Sequence, residues 1–209
     1  LFTFVDLLNV DTVAGTMTTS VFIDYIWIDP FMTWNESLTD NDGFIVIPND
    51  LLWIPDIIIY NSVGGFYSQV DHEAVFLGSN GFVWWSCRGM FTFSCDFDVS
   101  EFPFDTHTCT PEFSSWIYSL NNINITEVYV DVLDTFTNLA WKIDSVTGYR
   151  TVRGLWGGSY LYTFANYDIT VTRYYNHYIS SAVFPAVIIT LIVLTSLWMG
   201  AEYGSRISL

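Results

Sequence analysis

Three histidine positions and three cysteines are the first places to look for catalytic or metal chemistry. His72 with Glu73, His107 and His177 lack nucleophile or metal-ligand partners at a workable spacing. Cys87, Cys95 and Cys109 fit no zinc pattern. Asp40, Asp42, Asp131 and Asp134 offer hard oxygens of the kind calcium takes, but they read as solvated loop charge. No enzyme, no cofactor and no metal site is therefore expected. Aromatic surface is abundant instead, with 9 Trp, 13 Tyr and 17 Phe. Most of these rings must be core, and Trp34, Trp53 and Trp141 are assigned there. A ring face is electron-rich, so a cage of rings suits an ammonium group at about 0.5–2 kcal/mol per contact.

The composition narrows the setting. Of 209 residues, 51% are hydrophobic and only 13% charged, against about 25% charged in an ordinary soluble domain. So aromatic a chain is not disordered. With 22 acidic and 6 basic residues the formal charge is -16. Nucleic acid is excluded as a partner, because phosphate binding needs clustered Lys and Arg. An acidic surface concentrates cations.

The elements that must position these rings fall into two parts. From Tyr174 to Ala201 there is no Asp, Glu, Lys or Arg. Within that run, Ile179 to Met199 as a helix spans roughly 31 Å at about 1.5 Å per residue. That matches a bilayer core of about 30 Å, so a transmembrane helix is expected over 174–200. Pro185 is tolerated in a packed membrane helix, and Trp198 and Tyr174, Tyr175 and Tyr178 sit where interfacial aromatics sit. Residues 1–173 show short β-branched and aromatic runs instead: 21–28, 43–47, 56–60, 74–77, 82–85, 90–93, 128–132 and 167–172. Turn signals separate them at Asn41-Asp42-Gly43, Gly64-Gly65, Ser79-Asn80-Gly81, Thr147-Gly148 and Gly157-Gly158. Strands at this spacing predict an all-β sandwich or barrel, with an extracellular immunoglobulin-like sandwich as the form expected here. Asn35 and Asn124 head glycosylation sequons, each exposed if the domain is exported. Cys95 and Cys109 enclose 13 residues, and a bridge there would stabilise by about 3 kcal/mol. Cys87 is then either a small buried hydrophobe or the arm of an intersubunit bridge.

That enclosed loop carries a resemblance. Two cysteines 13 residues apart with Phe102-Pro103-Phe104-Asp105 between them resemble the signature loop of the Cys-loop receptors, the pentameric ligand-gated ion channels. Other segments are similar in order along the chain: Asn9-Val10-Asp11, Thr16 to Thr19, Trp27 with Trp34-Asn35, Trp53-Ile54-Pro55-Asp56 with Tyr60-Asn61, and Phe113 to Trp116. Arg173 lies 12 residues before Pro185, like the family's basic residue before its first membrane helix. Gly204 to Leu209 resembles the start of the pore-lining helix, so residues 201–209 are expected to open that helix, with the chain truncated there. A single-pass adhesion receptor with an Ig-like ectodomain fits this loop and this ending less well.

The resemblance implies a homo- or hetero-pentamer in the plasma membrane, multi-pass, with an aromatic box between subunits. The box would hold a small-molecule ligand. Tyr60, Trp116, Trp156, Tyr160 and Tyr162 would form its principal face, and Trp27, Phe76 and Trp84 its complementary face. Cys95–Cys109 would be the disulfide. Phe102, Pro103, Phe104, Asp105 and Arg173 would couple the domain to membrane helices and lipid, with Asp105 and Arg173 as an ion pair. The segment from Arg153 to Asn166 lacks the adjacent cysteine pair of acetylcholine-binding principal subunits, which leaves a small amine, a larger amphipath or no known ligand for the box. Ser205 stands where cation channels carry Glu, and the Pro-Ala of anion channels is absent as well. A ring of Glu202 would favour cations. The reading is a subunit of a cation channel, with a modulatory subunit or an anion channel as the alternatives.

Overall fold

The structure, a computed structural model, describes residues 1–38, 43–64, 70–71, 74–133 and 138–198. Phe2–Asp11 (β1) and Thr16–Thr33 (β2) form an antiparallel hairpin. Its turn closes on Asp11, whose Oδ1 accepts the N–H groups of Val13 at 3.0 Å and Ala14 at 2.8 Å. The chain continues through Phe44–Pro48 (β3), Ile57–Ile59 (β4), Val70–Asp71 (β5), Ala74–Gly78 (β6) and Asn80–Ser94 (β7). Thr106–Cys109 (β8), Glu112–Ser115 (β9), Val130–Val132 (β10), Trp141–Leu155 (β11) and Tyr160–Arg173 (β12) complete the strands.

Two sheets form a sandwich. The first runs β10-β1-β2-β7-β6-β3, with β5 also on β7. The second runs β11-β12-β9-β4, with β8 also on β12. Period-two alternation makes the core. Met17, Val21 and Ile23 of β2 face inward with Ile169 and Val171 of β12 in one buried cluster. Phe2 of the first sheet stacks on Tyr167 of the second with ring centroids 4.2 Å apart. A second cluster of Val75, Leu77, Val83, Trp85 and Cys87 lies under β6 and β7. The Cys95–Cys109 disulfide links the end of β7 to β8, and so one sheet to the other.

Several sequence expectations need correction. The runs 82–85 and 90–93 belong to one strand, β7. Thr147-Gly148 is not a turn but the middle of β11, paired with Asp168 and Tyr167. Glycine stands there because a Cβ would meet Val130 Cγ2 at 2.7 Å and Val128 Cγ1 at 2.9 Å, where the crossing segment presses on the sheet. Trp53 is half exposed rather than core, whereas Trp141 is buried. Cys87 faces inward, and burial pushes its thiol up to about 12, so it behaves as a small hydrophobe.

After Arg173 the chain becomes helical over Asn176–Trp198, with a mean hydropathy of 2.2 in its most apolar window and none of that window buried. Its 23 residues are long and apolar enough to cross a membrane. Pro185 has no N–H to give the carbonyl of Ser181, and the turn before it widens to a π turn at Ile179–Val183.

Candidate functional site

The ring cluster starts from a carboxylate. Asp56, just before β4, accepts the Ser115 hydroxyl at 2.5 Å and the Ile117 N–H at 2.7 Å. Ser115 Oγ in turn accepts the Tyr118 N–H at 2.8 Å. These bonds fix the turn after β9 that carries Trp116. Tyr60, just after β4, donates its hydroxyl to the Ser115 carbonyl at 3.3 Å. Its ring lies 6.1 Å from Trp116 and 5.0 Å from Phe164. Burial, with Tyr162 and Asp56 adding to it, pushes the Tyr60 phenol up, so it remains a neutral donor.

The β11–β12 hairpin stands beside this cluster. Its tip turns on Gly157 and Gly158, both at positive φ, and Trp156 itself sits at φ 54°. Trp156 and Tyr160 are exposed and Tyr162 is buried. The three line an open depression of about 430 Å³ with Ile117, Tyr118, Ser119 and Asn122. The structure thus brings Trp156, Tyr160 and Tyr162 to one depression and Tyr60 with Trp116 to an adjoining ring pair.

The three rings read as the complementary face do not stay together. β2 and β7 pair without a register shift from Thr16 to Ile28, and Trp27 lies opposite Val83, which is buried. Trp27 therefore faces inward, packs on the second core cluster and stands edge-on to Trp53 at 6.1 Å. Phe76 and Trp84 occupy the outer face, stacked at 5.1 Å. Trp84 Nε1 donates to Asp24 at 3.1 Å, and the Arg88 guanidinium lies 5.5 Å from the centre of the Phe22 ring on the same face. Asp24 and Phe22 were missed in the sequence, although their i, i+2 spacing from Ile26 marks the face opposite Trp27.

At the other end of β12 the signature loop meets the helix. Arg173 Nε and Nη2 each donate to Asp105 at 2.7 Å, with both side chains buried. His107 Nε2 lies 2.6 Å from Asp105 Oδ2. The Arg173 guanidinium lies 4.1 Å from the Trp141 ring centre and 5.1 Å from that of Phe102. Hydrogen bonds from Arg173 and His107, against the opposing effect of burial, lower Asp105 to about 2. Phe102 packs edge-on to Tyr178 at 4.9 Å, and Phe104 lies 5.0 Å from Tyr175. Pro103 links these two rings at the loop tip. His107 finds its partner in Asp105, two residues before it, the spacing at which side chains share a face.

Asn35 and Asn124 are exposed, with Asn124 Oδ1 accepting from Arg150 at 2.9 Å. Among the described residues no His, Cys, Asp and Glu group converges as a metal cage. Glu202, Ser205, His72, Glu73, Asp40, Asp42 and Asp134 lie outside the described residues.

Comparison with known proteins agrees with this architecture. The chain is 29% identical over 205 residues to the neuronal acetylcholine receptor subunit beta-4 of Rattus norvegicus, covering 97% of this chain and 41% of that one. It is 29% identical to subunit alpha-4 of Homo sapiens, covering 97% and 33%. Against subunit alpha-2 of Gallus gallus the identity is 28%, covering 97% and 39%. The chain thus spans between a third and 41% of the length of these relatives. The family of the neurotransmitter-gated ion-channel ligand binding domain matches over residues 2–175, which contain every strand of the β sandwich, and the chain belongs to that family.

Proposed function

We propose that this chain supplies the ligand-binding domain and first membrane helix of a subunit in a pentameric, ligand-gated cation channel. A small amine is the ligand class. The carrying observation is the ring pair Tyr60–Trp116, held by Asp56 beside a depression rimmed by Trp156, Tyr160 and Tyr162. Clustered ring faces stabilise an ammonium group. Similarity to subunits named as acetylcholine receptors supports the same chemistry.

Phe76 and Trp84 lie on the outer face of the opposite sheet, where a neighbouring copy would present them to the depression. Trp27, facing inward, supports that wall from behind. A ligand bridging the two walls favours the arrangement of subunits that it fits best, and its differential affinity drives opening. Phe102, Pro103 and Phe104 pass that change to the helix, with Asp105 and Arg173 holding strand to helix. Cation selection is assigned to Glu202 and Ser205. Asn35 and Asn124 carry glycans.

Current recorded from cells expressing the full-length protein during amine application tests this reading. Trp116→Ala is expected to raise the half-maximal amine concentration by about tenfold or more. A reversal potential that follows external sodium identifies cation flow. Amine-evoked current insensitive to Trp116→Ala would remove the box as the site.

A further inference from the structure

The aromatic cluster already contains a cation. Arg153, on β11, faces Tyr162 across the strand pair, and the alternation of β12 puts Phe164 and Asn166 on that same outer face. The guanidinium carbon lies 3.9 Å from the centre of the Phe164 ring. Nη2 donates to Asn166 Oδ1 at 3.1 Å and pairs with Glu112 of β9 at 3.0 Å. Nε is buried with no hydrogen-bond partner. A desolvated N–H is tolerable where the charge rests on a ring face, because the ring's negative quadrupole offsets the lost water. Phe164 is only 1% exposed, covered by this guanidinium and by the edge of Tyr60.

We propose that Arg153 is a specificity-determining residue, a tethered cation that occupies the Phe164 face of the box and confines a ligand's ammonium to the Trp116 and Tyr162 side. The inference rests on the ligand reading given above. Two effects act together. Phe164 is denied to the ligand, and a fixed positive charge repels a compact cation placed deep against Tyr60. Ligands with a small, fully methylated ammonium are disfavoured most, since they need rings on several sides. Ligands whose charge sits at one end of a longer body are disfavoured least. The Glu112 partner offsets part of the repulsion, but both side chains are partly exposed and the pair is a weak shield.

Tetramethylammonium is the probe, titrated against the intrinsic tryptophan fluorescence of the purified full-length protein. Arg153→Ala uncovers Phe164 and removes the charge; Arg153→Met removes the charge and keeps the ring covered. Tetramethylammonium is expected to bind Arg153→Ala about tenfold more tightly than wild type, with Arg153→Met between the two. Near-ultraviolet circular dichroism matching wild type certifies the fold of each variant. Binding that is lost in Trp116→Ala yet unchanged or weakened in both Arg153 variants overturns the role of Arg153 and leaves the box standing. Binding by none of the proteins, or binding indifferent to Trp116, overturns the box and the role of Arg153 together.

Discussion

Two arginines lie on aromatic rings at opposite ends of the β11–β12 hairpin. Arg173 is 8% exposed and grips Asp105 with two parallel hydrogen bonds, with Trp141 and Phe102 about it. Arg153 is 41% exposed, pairs with Glu112 through one nitrogen and covers one ring. The chemistry of the two sites is the same and the burial is not. A buried guanidinium has lost its water and cannot be left without its carboxylate, so Arg173 fixes structure. A half-exposed one can be released to solvent at little cost, so Arg153 is free to serve recognition. The end of the domain beside the helix is locked, and the aromatic end is held more loosely.

The comparison breaks if the Arg173 end proves soft. Arg173→Ala strands the Asp105 carboxylate in a buried site and is expected to cost about 3–5 kcal/mol, read as a lowered midpoint in chemical denaturation. A loss below about 1 kcal/mol would place the two arginines in the same class. Acid sharpens the contrast next. Asp105 is held at about 2 in the folded chain against an ordinary value of 3.8. Its contribution is complete above the ordinary value and disappears as pH falls through that window, for about 2 kcal/mol in all. Denaturation midpoints of wild type should therefore drop between those two pH values, and Asp105→Asn should flatten the drop. The smallest effect belongs to the other end. Glu112→Gln is expected to cost no more than about 1 kcal/mol and to lose that effect in high salt, again by denaturation midpoint.

Much of this was readable from residue order. The Phe-Pro-Phe-Asp loop between two cysteines and the Trp-x-Pro-Asp segment carry a family resemblance, and the uncharged run after Arg173 has the length of a membrane crossing. Tyr60 and Trp116 followed from those motifs. Trp27 did not, because a strand with aromatics on both faces does not say which face is core. Only the pairing of Trp27 with buried Val83 answers that. Gly148 read as a turn because glycine marks turns more often than close crossings, and the crossing comes from Val128 and Val130, some twenty residues earlier. His107 gave no such signal, because a His two residues from an Asp is an ordinary pairing in sequence and only the fold buries the two together.

The order of residues alone settled the two-part architecture, since an uncharged run of bilayer length and a set of alternating apolar runs are properties of segments. It also implied, through the resemblance carried by Phe102-Pro103-Phe104-Asp105, that Cys95 and Cys109 are bridged, as the structure shows. Tertiary structure decided which rings see solvent, which arginine is locked and which is loose, and why position 148 takes glycine. Those outcomes depend on how β2, β7, β11 and β12 register against their neighbours. A shift of one residue there would exchange inside for outside along a whole strand.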